Sequence, residues 1–134
     1  DIGKIQIDLS VLNKTDPLTP EDWNEIKKHP IIGYEIVKEI TFLKDNANAV
    51  LYHHEREDGL GYPFGIDGKK IPYYAKIISI ADSYDAMTTD RPYRKALTLS
   101  EAILEIRKNK NKQFDGILCE KMLEVLNEEN QVKL

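Results

Sequence analysis

Apolar residues recur at three- and four-residue spacing along most of the chain, and no segment alternates over the length of a strand. The pattern predicts a succession of helices. Leu18-Thr19-Pro20-Glu21-Asp22 reads as a helix start: Thr19 can cap it, Pro20 suits the first helical position, and the two acids complement the dipole. Trp23 and Ile26 carry the period to His29-Pro30, where proline disfavours helix in the residue before it. Ile32, Ile36 and Ile40 share one face of a second helix over 31–40, and Ala47, Val50, Leu51 and His54 share one over 46–55. The segment 56–72 carries Gly59, Gly61, Gly65 and Gly68 with Pro63 and Pro72. It predicts a long loop, and long loops in compact domains tend to be functional. A fourth helix is expected over 73–89. Thr98-Leu99-Ser100-Glu101 is a capping box opening a fifth, to about Lys108, and a sixth is expected over 116–128. The expected class is all-α, a compact bundle of about five to six helices around a long glycine- and proline-containing loop.

Composition narrows the function classes. A chain of 134 residues is one domain's worth, with 41% hydrophobic and 31% charged residues, which is ordinary for a soluble fold. The formal charge of −4 excludes a generally basic surface, so neither DNA nor RNA polymer is expected as a partner. The single cysteine, Cys119, cannot form an internal disulfide and lies in an ordinary amphipathic stretch, where it reads as a small core residue. That usage points to a reducing, cytoplasmic compartment. No apolar run is long enough to span a bilayer.

Four features carry candidate chemistry. The fourth helix presents Ile71, Tyr74, Ala75, Ile78, Ala81 and Ala86 as its apolar face, with Asp82 within that face and Asp85 one turn later. A carboxylate on such a face calls for a partner: an arginine, a cap, or a cation. His29, His53 and His54 are all of the chain's histidines. Together with Asp82 they suggest a site for zinc, iron, manganese or nickel rather than calcium. The loop Asp58-Gly59-Leu60-Gly61-Tyr62-Pro63 is either a plain turn or a place where backbone approaches a ligand closely. Asp90-Arg91-Pro92-Tyr93-Arg94-Lys95 is either a solvated basic turn or, beside a metal site, a phosphate clamp.

Taken in order, Asp1-Ile2-Gly3-Lys4, His29-Pro30, His53-His54-Glu55, Asp58 to Pro63, Ile80 to Ala86, Asp90 to Arg94 and Phe114-Asp115 resemble the motifs of the HD-GYP subgroup of metal-dependent phosphohydrolases. The resemblance covers nearly the whole chain, 1–134. It implies an all-helical bundle around two or three divalent transition metal ions, iron or manganese above all, and hydrolysis of cyclic di-GMP or a related cyclic dinucleotide. By position it makes Asp1, His29, His53, His54 and Asp82 metal ligands. Asp1 and Lys4 become catalytic, Lys4 by contacting substrate phosphate. Gly61, Tyr62 and Pro63 become the loop lining the site, and Arg91 and Arg94 the pair that holds nucleotide phosphates. Two metals about 3.5–4 Å apart would activate water and neutralise the phosphoryl oxygens.

The departures from the family pattern are specific. No histidine precedes Asp1, so the chain reads as a domain truncated at its N-terminus, with a metal site short of one ligand. An upstream sensory or receiver domain is the expected neighbour. Asn111-Lys112-Gln113 stands where the family usually has Gly-Thr-Gln, and Gly116 where it has proline. Two competing functions remain at this level: a catalytically inactive regulatory or partner-binding module, and a phosphohydrolase of another nucleotide.

Overall fold

A computed structural model describes residues 1–91 and 94–132, with side chains as far as 127. The described residues form seven α-helices: α1 (Leu9–Leu12), α2 (Pro20–Ile26), α3 (His29–Lys38), α4 (Ala47–Tyr52), α5 (Tyr73–Thr88), α6 (Leu99–Lys108) and α7 (Gly116–Val132). Short 3₁₀ turns at Ile2–Gln6, Lys44–Asn46 and Gly68–Lys70 link them. Only isolated bridges, and no strand, occur among the described residues. The all-α expectation holds. The two elements beyond it, the N-terminal 3₁₀ turn and the single turn α1, are too short to show a helical period. The Asp8 side chain starts α1 by accepting from the Ser10 amide. No described helix is long and apolar enough to cross a membrane.

Local chemistry sets the helix starts as expected. Thr19 and Thr98 both close reciprocal capping boxes, with Asp22 and Glu101 respectively. α3 departs from the expected 31–40: it begins at His29 and ends at Lys38, because Pro30 sits in the first turn, where a missing amide donor costs nothing.

The elements pack in two groups that share α5. The first contains the N-terminal 3₁₀ turn, α3 and α4; α4 then lies against α5, which packs on α6 and α7. The second group encloses Ile80, Ile106, Phe114, Cys119, Leu123 and Leu126. Cys119 is fully buried, and burial pushes its thiol up to about 11, as expected of a core residue rather than a nucleophile. On α3 the deepest stripe is His29, Gly33 and Val37, so Ile32, Ile36 and Ile40 flank the buried face rather than define it.

α5 corrects one expectation. Tyr74 and Ile78 are 63% and 39% exposed, and Ala81 is exposed. The buried face is Ala75, Ser79 and Ile80, rotated from the stripe the sequence suggests. Asp82 follows Ala75 and Ser79 at helical spacing and is half-buried. The two departures from the family motif fit one another. Asn111 adopts φ 57°, a left-handed conformation that asparagine tolerates where the family has glycine. Its carboxamide oxygen lies 2.3 Å from where a Cβ at Gly116 would sit.

The closest backbone approach in the first group joins the N-terminal turn to α3. A Cβ on Gly3 would lie 1.9 Å from the His29 carbonyl oxygen and 2.6 Å from the Gly33 amide. Gly3→Ala should therefore push the segment bearing Asp1 and Lys4 off α3. We expect a loss of about 1–3 kcal/mol, read as a lower melting temperature, with weaker metal retention alongside. An unchanged melt would contradict this packing.

Candidate metal centre

Three elements bring four ligand side chains to one place. Asp1 precedes the N-terminal 3₁₀ turn, His29 opens α3, and His53 and His54 follow α4 directly. One ligand atom from each of the four lies within 4.8 Å of all the others. At a helix end the adjacent His53 and His54 need not diverge as they would within a regular helix. Their ring centroids are 4.0 Å apart.

The backbone determines which ring nitrogens face inward. His29 donates from Nδ1 to the Ile26 carbonyl at 2.8 Å, and His53 from Nδ1 to the Val50 carbonyl at 2.6 Å. Each neutral ring then has a bare Nε2 lone pair. These two lone pairs point together at 3.5 Å, where no proton is available to join them. His54 Nε2 lies 3.1 Å from His29 Nε2. The Asp1 carboxylate completes the ring of donors. Its Oδ1 is 3.4 Å from His29 Nε2 and 3.9 Å from His53 Nε2, while Oδ2 accepts from Lys4 Nζ at 2.6 Å.

Burial keeps the imidazoles neutral. It lowers His29 to about 4 and His54 to about 2, and it lowers His53 as well. The unprotonated Nε2 atoms of His29 and His53 converge beside a carboxylate, an arrangement that a divalent cation would satisfy. The donor set, imidazole nitrogen with one carboxylate, suits a first-row transition metal. The backbone carbonyls on the outer nitrogens play the orienting part that metal-bound histidines require.

In metal-free protein the sign of the pH effect follows. The folded value for His29, about 4, lies below the ordinary 6.5, so the unfolded chain takes up the proton first. Stability present above about pH 6.5 should be lost progressively as pH falls towards 4. Denaturant melts in chelator across that range measure it, and a flat profile would contradict the buried neutral histidines.

Asp82 stands beside this group rather than inside it. Its charge acts on His53 and on Tyr62, and its carboxylate makes no hydrogen bond or ion pair with the described residues. The loop 56–72 forms an adjoining wall. Gly61 is pressed so close that a Cβ would lie 2.5 Å from Glu55 Cα and 2.6 Å from the His54 carbonyl oxygen. The Tyr62 amide donates to that same carbonyl at 3.1 Å, and its ring stacks on His54 with centroids 4.7 Å apart. Burial, with Asp82 adding to it, raises the Tyr62 hydroxyl above its ordinary range, so it stays neutral. The Tyr62–Pro63 peptide is cis.

What shapes this loop is Glu55, to which the sequence assigned no role. It is 2% exposed, and its carboxylate accepts from the amides of Phe64 (2.8 Å), Gly65 (3.2 Å) and Ile66 (3.1 Å). The available signal was an acid ending a helix just before a glycine-rich segment. That pattern resembles an ordinary surface position until the loop folds back over it.

The two arginines separate. Arg91 lines a groove together with Lys4. Arg94 returns to α5, where its guanidinium donates to the Ala86 carbonyl. Arg91 and Arg94 also exchange backbone hydrogen bonds. Pro92 and Tyr93 of that motif lie outside the described residues. Phe114-Asp115 is structural here: Phe114 is core, and Asp115 caps α7 and pairs with Lys76.

The model of the HD domain matches residues 1–118. The chain is 42% identical over 117 residues to a cyclic di-GMP phosphodiesterase response regulator, RpfG, of Xanthomonas campestris pv. campestris, covering 86% of this chain and 31% of that protein. It is 39% identical over 127 residues to a cyclic di-GMP phosphodiesterase of Thermotoga maritima, covering 93% of this chain and 34% of the relative. A 3'3'-cGAMP-specific phosphodiesterase of Vibrio cholerae is 32% identical over 115 residues, covering 86% and 25%. The chain thus spans a quarter to a third of the length of these relatives.

Proposed function

Since the chain belongs to the HD domain family, we propose that it is the hydrolytic domain of a metal-dependent phosphodiesterase acting on cyclic di-GMP or a related cyclic dinucleotide. The observation that carries this reading is the pair of bare His29 and His53 Nε2 atoms, 3.5 Å apart beside the Asp1 carboxylate. Asp1, His29, His53 and His54 would hold the ions, two or three in number and iron or manganese by preference, with Asp82 supplying a further carboxylate. Bound divalent ions neutralise phosphoryl oxygens and make water a competent nucleophile at neutral pH.

The chain's own residues do the rest. Asp1 divides its carboxylate between the imidazole cluster and Lys4, which keeps the ammonium next to the site where phosphoryl charge builds. Arg91 shares the groove wall with Lys4, which supports a role in holding a phosphate. Arg94 braces this segment against α5 through the Ala86 carbonyl. Gly61 brings backbone against the cluster, and Tyr62 covers one face of His54 and excludes water from it. Upstream sensory or receiver modules are the partners we expect, and the buried free thiol suits a cytoplasmic setting.

Incubating the protein with Mn²⁺ or Fe²⁺ and cyclic di-GMP, with products separated by chromatography, tests this directly. We expect conversion to a linear dinucleotide or to GMP, lost in chelator. Tight metal binding without turnover of any cyclic dinucleotide would overturn the assignment.

A further inference from the structure

The groove beside the metal centre is larger than a phosphate requires. It encloses about 640 Å³, and its walls include Leu12, Leu18, Trp23 and Ile26 together with Lys4 and Arg91. A volume of this order is that of a ligand pocket. Two of its lining residues also belong to the metal centre: Lys4 bonds Asp1, and the Ile26 carbonyl orients His29. Trp23 lies one turn before Ile26 on α2 and is 45% exposed. An indole left open on a pocket wall is a flat surface that lacks its stacking partner. An ion pair between Lys14 and Asp22 ties the segment after α1 to α2, so both walls are held.

We propose that this groove is a nucleobase subsite, in which Trp23 stacks on one purine of the substrate while its phosphate reaches Lys4 and Arg91. The identity of the occupant rests on the cyclic-dinucleotide reading above; the geometry of the subsite does not. The chemistry is that of a base and its phosphate together. Apolar walls and an aromatic face accept the ring, and the cations lie where the attached anion must sit. A fatty chain would use the apolar walls and leave the cations idle, whereas inorganic phosphate would use the cations and leave the indole open.

Trp23 is the chain's sole tryptophan, so its emission reports on this groove alone. The metal-free protein is titrated in chelator with cyclic di-GMP, with GMP and, as control, with inorganic phosphate at constant ionic strength. Saturable quenching by both nucleotides but not by phosphate is expected. In the metal-loaded protein Trp23→Leu should raise KM about tenfold or more, with kcat much less affected. Trp23→Phe, which keeps a stacking face, should recover most of that loss. A folded Trp23→Leu protein with wild-type KM, or emission unmoved by saturating cyclic di-GMP while hydrolysis proceeds, would overturn the subsite. Quenching by GMP in a protein that hydrolyses no cyclic dinucleotide would uphold the subsite and sink the assigned reaction instead.

Discussion

His29→Ala should strip the protein of bound metal and reduce kcat/KM for a cyclic dinucleotide by about three orders of magnitude or more. Loss of an orienting partner alone costs metal sites about 10–100-fold, and His29 is the hub of the cluster. Its Nε2 is the atom that lies within 3.5 Å of His53, His54 and Asp1 alike. The fold should survive, because the ring's backbone contact is a single hydrogen bond to Ile26 and His29 lies outside the buried cluster of Ile80, Ile106, Phe114, Cys119, Leu123 and Leu126. Metal analysis after dialysis, with circular dichroism as the control for folding, measures this. A folded His29→Ala protein retaining the wild-type metal content would show that the four side chains do not form the site.

Glu55→Ala should destabilise the fold strongly, by about 3–5 kcal/mol. It leaves the amides of Phe64, Gly65 and Ile66 without their acceptor, and it removes a fully enclosed side chain. That loss is a large share of a typical domain's total stability of roughly 5–15 kcal/mol. The loop 56–72 would no longer be drawn over the cluster, so Tyr62 should leave His54 and activity should fall together with stability. Glu55→Gln keeps one acceptor oxygen and should cost less. Urea unfolding of the two variants gives the comparison, and a Glu55→Ala midpoint equal to wild type would contradict the anchoring role.

Much of this site was legible in the sequence for a physical reason. Metal ligands are few in kind, and His29, His53 and His54 were the only histidines to place. Helix starts were legible because capping is local: the Thr19 and Thr98 boxes need only four consecutive residues. What could not be read depends on how segments meet. The α5 stripe of Tyr74, Ile78 and Ala81 looks apolar in sequence yet faces outward, because the neighbouring helices cover Ala75 and Ser79 instead. Arg91 and Arg94 look like equivalent members of one clamp, yet one lines the groove and the other donates to the Ala86 carbonyl, a contact that depends on how the segment meets α5. Glu55 gave no sign of burial, since its partners are backbone amides nine to eleven residues ahead, which no side-chain pattern marks. Tyr62 was expected to line the site, but its stacking on His54 follows from the loop's return past the end of α4.

His29, His53, His54 and Asp1 should together form a divalent-cation site. Titrating Mn²⁺ into chelator-stripped, desalted protein tests it most directly, with the six-line electron paramagnetic resonance signal of free Mn²⁺ as the readout. The signal should stay suppressed until at least one equivalent has been added at neutral pH, and should appear from the first addition in His29→Ala. A free-ion signal growing linearly from the first addition in both proteins would show that these four side chains hold no ion.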